Sequence, residues 1–394
     1  MKLVTPPMPR HGRPEADDTL SFIRELIGNS MHAKRVFSLA NATHGVVASA
    51  SLAVSMIGRG LAVSRGLVDK HAIKQVDRLL SNDKLALEDV LRPWVTHAVG
   101  NSVHVFINLD WTEFDADDHS MLVASMQTQH GRALPLTWKT VVKSELKGQR
   151  NEHEHELLRQ LDTLMPDGVA GTIVADRGFG RSSLFDMILS ETRFECILRF
   201  KSNVTVTDAK SAPTQKPAGE WVGKNGRMRT LHGARLTLEM YEVPVVVVVQ
   251  DKDMKDIWCL MCSDETLTGG QIKQAYGKRF TCEETFRDTK DLRFGMGMTW
   301  SRAQRTDRRD RLMLLAVLAQ GLLTLLGMAG EHAGLDRLLK SNTSKKRTMS
   351  LLRQGQRWYE LMPNMPEKRL ATLMESYAQV LGNHELWQPF HLAA

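Results

Sequence analysis

The chain has 394 residues, enough for two or three domains. Its 42% hydrophobic and 25% charged residues are those of an ordinary soluble globular protein, and four scattered cysteines exclude a disulfide framework. Lys and Arg number 52 against 45 Asp and Glu, a formal +7, which suits a polyanionic partner without requiring one.

The N-terminal MKLVTPPMPRHGRPEADD lacks an apolar core segment, so no signal peptide is expected. Residues 19–97 are predicted helical. TLSFIRELIGNSM and KHAIKQVDRLLSN repeat apolar residues every three to four positions. The small-residue run LANATHGVVASASLAVSMIG between them permits close helix packing, and Asn82-Asp83 and Pro93 are expected breaks.

Near residue 101 the period changes to two. Val103, Val105, Ile107 and Leu109 alternate with His104, Phe106, Asn108 and Asp110, so SVHVFINLDW is a strand with Asp110 at its end. MLVASMQTQ and ALPLTWKTVV follow as strands joined at His130-Gly131-Arg132. Next come a helix (NEHEHELLRQLDTLM), a short buried strand running into a turn at Asp176 (GTIVADRGFG), a helix (RSSLFDMILSET) and a strand (FECILRF). Three consecutive strands predict an antiparallel meander, and the helix-separated strands extend it in parallel. From about 200 to 268 helical periodicity is lost and short strands such as VPVVVVVQD and IWCLMCS suggest a β insertion. Cys259 and Cys262 lie within one of these strands without further ligands at zinc spacing, so buried thiols are expected there.

The stretch YGKRFTCEETFRDTK reads as a helix. At about 100° per residue, Tyr276, Arg279, Glu283 and Lys290 fall within an arc of roughly 60°. Such a face could hold a metal ion beside a phosphate, with Asp110 and Asp176 at two strand tips supplying the other carboxylates. An all-oxygen set favours a hard ion such as Mg²⁺ or Mn²⁺, and two such ions suit phosphodiester chemistry. Each piece also has a plainer reading. Aspartates often cap turns. Glu283 stands four residues from both Arg279 and Arg287, so a solvated salt-bridge ladder gives the same pattern. DRGFGR lacks the phosphate-loop lysine and the dinucleotide glycine spacing. Downstream, SRAQRTDRRDR, with Arg302, Arg305, Arg308, Arg309 and Arg311, would suit a phosphate backbone or a solvated face. Leu312 to Gly330 reaches membrane-spanning length but is broken by glycines and polar residues, and is read as a buried core helix. Residues 336–394 are basic and helical, with SNTSKKRTMS as a flexible or DNA-facing loop.

Taken together, these residues resemble a known family. Tyr-x2-Arg-x3-Glu-x6-Lys, met at Tyr276, Arg279, Glu283 and Lys290, is the signature of bacterial insertion-sequence transposases with a DDE active site. EETFRDTKDLRFGMGMTWSR is similar to the corresponding stretch in transposases of composite tetracycline- and kanamycin-resistance transposons, more so the former. LDWTEFD and VADRGFG are similar to their aspartate motifs, and IWCLMCSD to the segment upstream of the signature. The likeness covers roughly residues 100–330 well and the ends loosely. It implies an α/β, ribonuclease-H-like core with a β-rich insertion and helical ends: 1–98 binding DNA ends, 99–200 and 269–335 forming the core, 201–268 the insertion and 336–394 a helical region.

By that resemblance Asp110, Asp176 and Glu283 hold two Mg²⁺ or Mn²⁺ ions. Tyr276, Arg279 and Lys290 grip a phosphate near the transposon end, Trp258 stacks on a flipped base, and Phe280 fills space around it. Arg287, Arg302 and Arg305 are further DNA-contact candidates. Cys282 replaces the usual branched aliphatic, a change expected to alter packing only. The implied activity is cut-and-paste transposition. Terminal inverted repeats and target DNA are the partners, a homodimer the active form, and a bacterial, nucleoid-associated cytoplasmic protein without a membrane role the setting. A nuclease on the same core and a non-catalytic DNA-binding derivative are the rival readings.

Overall fold

The computed structural model describes residues 16–208, 214–237, 240–252, 254–381, 387 and 389–392. The expectation about a signal peptide and the first part of the proposed 1–98 domain fall on residues 1–15, outside the described residues.

Helices α1 (Ala16–Ile27), α2 (Ala33–Ser49), α3 (Val54–Arg65), α4 (Asp69–Leu80) and α5 (Glu88–Val99) come first. The small-residue run does bring α2 and α3 together: a Cβ on Gly45 would sit 2.5 Å from the Ile57 carbonyl oxygen. Asn82-Asp83 separates α4 from α5, but Pro93 lies inside α5 and does not end it. Proline removes one hydrogen bond from the helix. The buried face of Val90, Leu91, Trp94, Val95 and Ala98 holds α5 together regardless.

The sheet follows the predicted order. Strands β1 (His104–Phe114), β2 (His119–Gln127) and β3 (Ala133–Val142) form the antiparallel meander, with Gly131 in the connecting turn at φ 86°. After α6 (Arg150–Leu164), β4 (Ala170–Ala175) pairs parallel to β1; after α7 (Ser182–Glu191), β5 (Glu195–Phe200) pairs parallel to β4. This β3-β2-β1-β4-β5 order, flanked by helices, is the ribonuclease-H-like α/β arrangement.

The β-rich segment supplies β6 (Thr205–Thr207), β7 (Gln215–Pro217), β8 (Arg229–Leu236), β9 (Tyr241–Val249) and β10 (Trp258–Cys262). These strands do not form a separate sheet. β10 pairs antiparallel with β5, and β9, β8, β6 and β7 continue outward, giving ten strands in one sheet among the described residues. Valines 245–249 are buried throughout, as a strand covered on both faces requires. Cys259 and Cys262 are buried in β10, and burial pushes both thiols up to about 12.

Two sequence expectations need correction. β1 continues through Trp111, Thr112, Glu113 and Phe114, so Asp110 lies inside the strand and not at its end. The strand persists because Asp110 and the residues after it pair with Val123 through His119 of β2. The signature helix is also two helices, α8 (Gly269–Gly277) and α9 (Phe280–Lys290). Between them Lys278 and Arg279 keep right-handed helical angles, but the bonds tighten to three-residue spacing, as in Arg279 N–H to Tyr276 O at 2.9 Å.

Helix α10 (Thr306–His332) passes through the interior against α2, β3, α11 (Leu351–Leu361) and α12 (Glu367–Leu381). It has the length and apolarity of a membrane span, yet Leu312 to Gly330 is almost wholly buried in the protein. Close approach to α11 depends on two glycines. A Cβ on Gly327 would lie 2.0 Å from the Leu351 carbonyl oxygen, and one on Gly355 would lie 1.8 Å from that of Leu323. Both obstacles are backbone, which cannot rotate away. Gly355→Ala is therefore expected to destabilise the fold by about 1–3 kcal/mol, read as a lower midpoint in urea or thermal unfolding. An unchanged midpoint would contradict this packing.

Candidate active site

Asp110 and Asp176 come together through strand register. Leu109 of β1 is paired with Ala175 of β4, so the next residue on each parallel strand is an aspartate. Asp176 leaves β4 and caps the short 3-10 turn Arg177–Phe179, its Oδ1 accepting the Gly178 N–H at 2.8 Å. Here the capping reading and the site reading hold at once: one oxygen fixes the turn.

Glu283 reaches Asp110 through an arginine. Arg279 donates from Nη1 to Asp110 Oδ2 at 3.3 Å and from Nη2 to Glu283 Oε1 at 2.6 Å. Its side chain is buried, whereas that of Glu283 is half exposed. Cys282 Sγ lies 3.3 Å from the same Asp110 oxygen. Burial pushes the Cys282 thiol well up, so it is the hydrogen-bond donor. Burial also pushes the Asp110 carboxyl up to about 6; Arg279 and Cys282 pull it down, and the charges of Asp176 and Glu283 add to the rise. Asp110 is thus within electrostatic reach of both other carboxylates, and the rise is due chiefly to its burial, which Arg279 and Cys282 only partly offset.

A buried amide network sets this geometry. Gln127 Nε2 donates to Asn108 Oδ1 at 2.7 Å and to the Ala275 carbonyl at 3.0 Å. Asn108 Nδ2 lies 3.4 Å from both the Arg279 carbonyl and Thr281 Oγ1. These bonds tie the α8–α9 turn to β1 and β2 directly behind Asp110. Sequence reading missed both amides, since their partners lie some 150 or more positions away.

Of the four signature side chains, Arg279, Glu283 and Lys290 keep one row along α9, with Arg279 and Lys290 both bonded to β1, and Tyr276 stands apart. Tyr276 is fully buried, edge-on to Trp258 at 4.8 Å, with its hydroxyl beside Arg199. Lys290 lies further along β1: Nζ bonds to Thr112 Oγ1 at 3.0 Å and to the Glu113 carbonyl, and stands 4.7 Å from the Phe114 ring centre. Burial lowers its pKa. The arc read from an ideal helix fails only for Tyr276, because the turn at Lys278-Arg279 separates α8 from α9.

Other candidates are scattered. Trp258 is partly buried, and Phe280 is 42% exposed, with its ring centre 6.2 Å from that of Trp258 and 4.7 Å from the Arg279 guanidinium. Arg287 pairs with Glu284, so the ladder exists only between Arg279 and Glu283. Arg302 is exposed, and Arg305 is exposed but paired with Asp307 and Asp83. The rest of the basic run faces inward. Arg308 bonds to Asp77 and Ser81, Arg309 is buried against Asp117, His119 and the Phe114 ring, and Arg311 bonds to the Leu80 and Leu85 carbonyls.

All three carboxylates are hard oxygen donors that repel one another, and that chemistry fits a divalent cation. Their arrangement is not a finished cage: among the described residues no three His, Cys, Asp or Glu side chains are grouped closely enough to hold an ion. Arg279 supplies the positive charge between Asp110 and Glu283 instead.

Both aspartate segments share a further support. Glu154 of α6, 1% exposed, accepts Trp111 Nε1 at 2.9 Å and pairs with Arg181. Trp111 follows Asp110, and Arg181 closes the turn that Asp176 opens. Removing one member of a buried pair leaves the other desolvated, so Glu154→Ala should cost about 3–5 kcal/mol. Chemical denaturation checks this, and a loss below that of an exposed ion pair would show that Glu154 is not holding the two segments.

No curated protein matches the chain. Residues 135–319, just under half of it, match the family model described as transposase DDE domain; the match takes in Asp176 and Glu283, begins after Asp110, and supports a DDE transposase of the insertion-sequence type.

Proposed function

We propose that this chain carries out cut-and-paste transposition of an insertion sequence, with Asp110, Asp176 and Glu283 as its catalytic carboxylates. The observation that carries the reading is the side-by-side placement of Asp110 and Asp176 on parallel strands, with Glu283 joined to Asp110 through Arg279. The transposase-domain match supports action on DNA generally.

In this reading Asp110, Asp176 and Glu283 would hold divalent ions, Mg²⁺ or Mn²⁺, which would supply charge stabilisation at the phosphate and acidify a water molecule. Arg279 then yields its carboxylate contacts and turns to a DNA phosphate, for which its planar fork is suited. Lys290 adds a second cation further along β1. Tyr276, having no exposed surface, acts by supporting Trp258 and Arg279; contact with DNA would require the ring to move. Trp258 and Phe280 offer flat rings to an extruded base. Successive phosphoryl transfers at this one site cleave each end, through a hairpin, and join the 3′ ends to target DNA. Positioning and charge stabilisation do most of the catalysis. The helices of 1–98 bind the terminal repeats, and two protomers pair two ends.

The test uses Asp110→Asn, Asp176→Asn and Glu283→Gln, which keep side-chain volume. Each should lower Mg²⁺-dependent cleavage of the element's own ends by more than about a hundredfold, beyond the effect of an outer-shell change, with end binding retained in a gel-shift assay. Full cleavage by any of the three would sink the assignment. Cleavage by the unaltered protein without joining would favour a nuclease. Binding without any cutting would favour a non-catalytic derivative.

A further inference from the structure

The loop after Lys290 displays the two most exposed phenylalanine or tryptophan rings among the described residues, Phe294 at 57% and Trp300 at 66%. Leu292, also exposed, lies between them and α9. This exposure is imposed by an ordered backbone. Asp291 Oδ1 accepts the N–H groups of Arg293 at 2.7 Å and Phe294 at 2.6 Å, and the Asp291 carbonyl accepts the Gly297 N–H at 3.0 Å. Thr299 Oγ1 donates to the Lys290 carbonyl at 2.9 Å, and Met296 and Met298 anchor the loop in the core. The rings are therefore held outward at fixed positions.

Cations border them. The Arg293 guanidinium lies 5.1 Å from the Phe294 ring centre, and Arg287 and Lys290 line the same groove as Leu292 and Trp300. The neighbouring carboxylates are engaged, Asp291 with the loop backbone and Glu284 with Arg287, so Arg287 must exchange Glu284 for a phosphate whereas Arg293 has no ion pair to give up among the described residues. Flat apolar faces edged by positive charge match a ligand with flat apolar faces and negative charge. Unpaired nucleotides have both, whereas duplex DNA hides its base faces in the stack. A second copy of this chain would have to bring an acidic rim of its own.

We propose that Phe294 and Trp300 form a stacking shelf for single-stranded DNA beside the candidate active site, with Arg287, Lys290 and Arg293 facing its phosphates. The proposal rests on the transposase reading and adds to it a subsite for the strand left unpaired beside the cut.

The test is binding, measured by fluorescence anisotropy in EDTA so that no chemistry intervenes. A labelled oligothymidine and a blunt duplex of equal length are the probes. The full chain is compared with a Phe294→Leu/Trp300→Leu double variant, which keeps apolar bulk but removes the π faces, and with Trp300→Phe. The double variant should bind oligothymidine about tenfold or more weakly with duplex binding unchanged, and Trp300→Phe should retain most of the single-strand affinity. Equal loss on both probes, or no loss on either, would overturn the shelf. So would a self-association seen by sedimentation that the double variant abolishes while still binding oligothymidine, which would make this face an interface between copies. Failure of the unaltered chain to bind oligothymidine would also overturn the shelf, whereas the transposase reading stands or falls on the element's own ends, so the two failures are distinguishable.

Discussion

The Arg279 guanidinium between Asp110 and Glu283 is the contact on which the candidate site depends. A mostly buried carboxylate that shares a neighbour with a second, half-exposed one is disfavoured in its ionised form unless a cation lies between them. Arginine suits that place because its charge persists on burial and its donors are arranged as a fork. The compensation is partial. Asp110 is still pushed up to about 6, chiefly by burial, with Asp176 and Glu283 adding to the rise. Three carboxylates set against one guanidinium leave room for a further cation, and the exposed side of Glu283 leaves a way in for it.

Arg279 is placed by backbone, and the backbone by amides. The tight turn between α8 and α9 is what lets Arg279 leave the helical row of Tyr276 and face β1. Gln127 and Asn108 hold that turn from beneath, accepting and donating within the sheet and to the carbonyls of Ala275 and Arg279. Polar side chains in the middle of a sheet are costly unless they find partners. Here the partners are the two amides themselves and the Ala275 and Arg279 carbonyls, which also accept bonds within the turn; Gln127 Oε1 has no partner among the described residues.

What could be read from the sequence divides along the range of the interactions involved. Strand order, the β-rich character of 201–268 and the burial of α10 follow from local period and composition, and the structure has them all. The placing of Asp176 after β4 follows from the loss of the apolar run. Asp110 inside β1 did not, because WTEF lacks the alternation that marks a strand and is held in place by pairing with His119 to Leu122. The break at Lys278-Arg279 had one local signal, Gly277 at the end of α8, which the regular spacing of the polar residues overshadowed; Asn108 and Gln127 meet the backbone there from distant strands. Arg287 could equally well have met Glu283 or Glu284 by helical spacing, and only the packing of the turn decides for Glu284.

Charge was the least reliable guide. The run from Arg302 to Arg311 looks like a phosphate-facing stripe, but Arg308, Arg309 and Arg311 bind Asp77, Asp117 and the carbonyls of Leu80 and Leu85, fastening α4, the segment after it and the turn after β1 to α10. A buried guanidinium needs such partners, and five donors give it the means to join three elements at once. The formal +7 therefore overstates the charge that can meet DNA from this run, where Arg302 is exposed and Arg305 already pairs with two aspartates. A phosphate at Arg305 must compete with Asp83 and Asp307, both held by the same framework. Among the described residues Arg293 meets no carboxylate within ion-pair distance, and it lies against Phe294. On these grounds the cationic face available to a nucleic acid shifts from the run itself to the loop that precedes it.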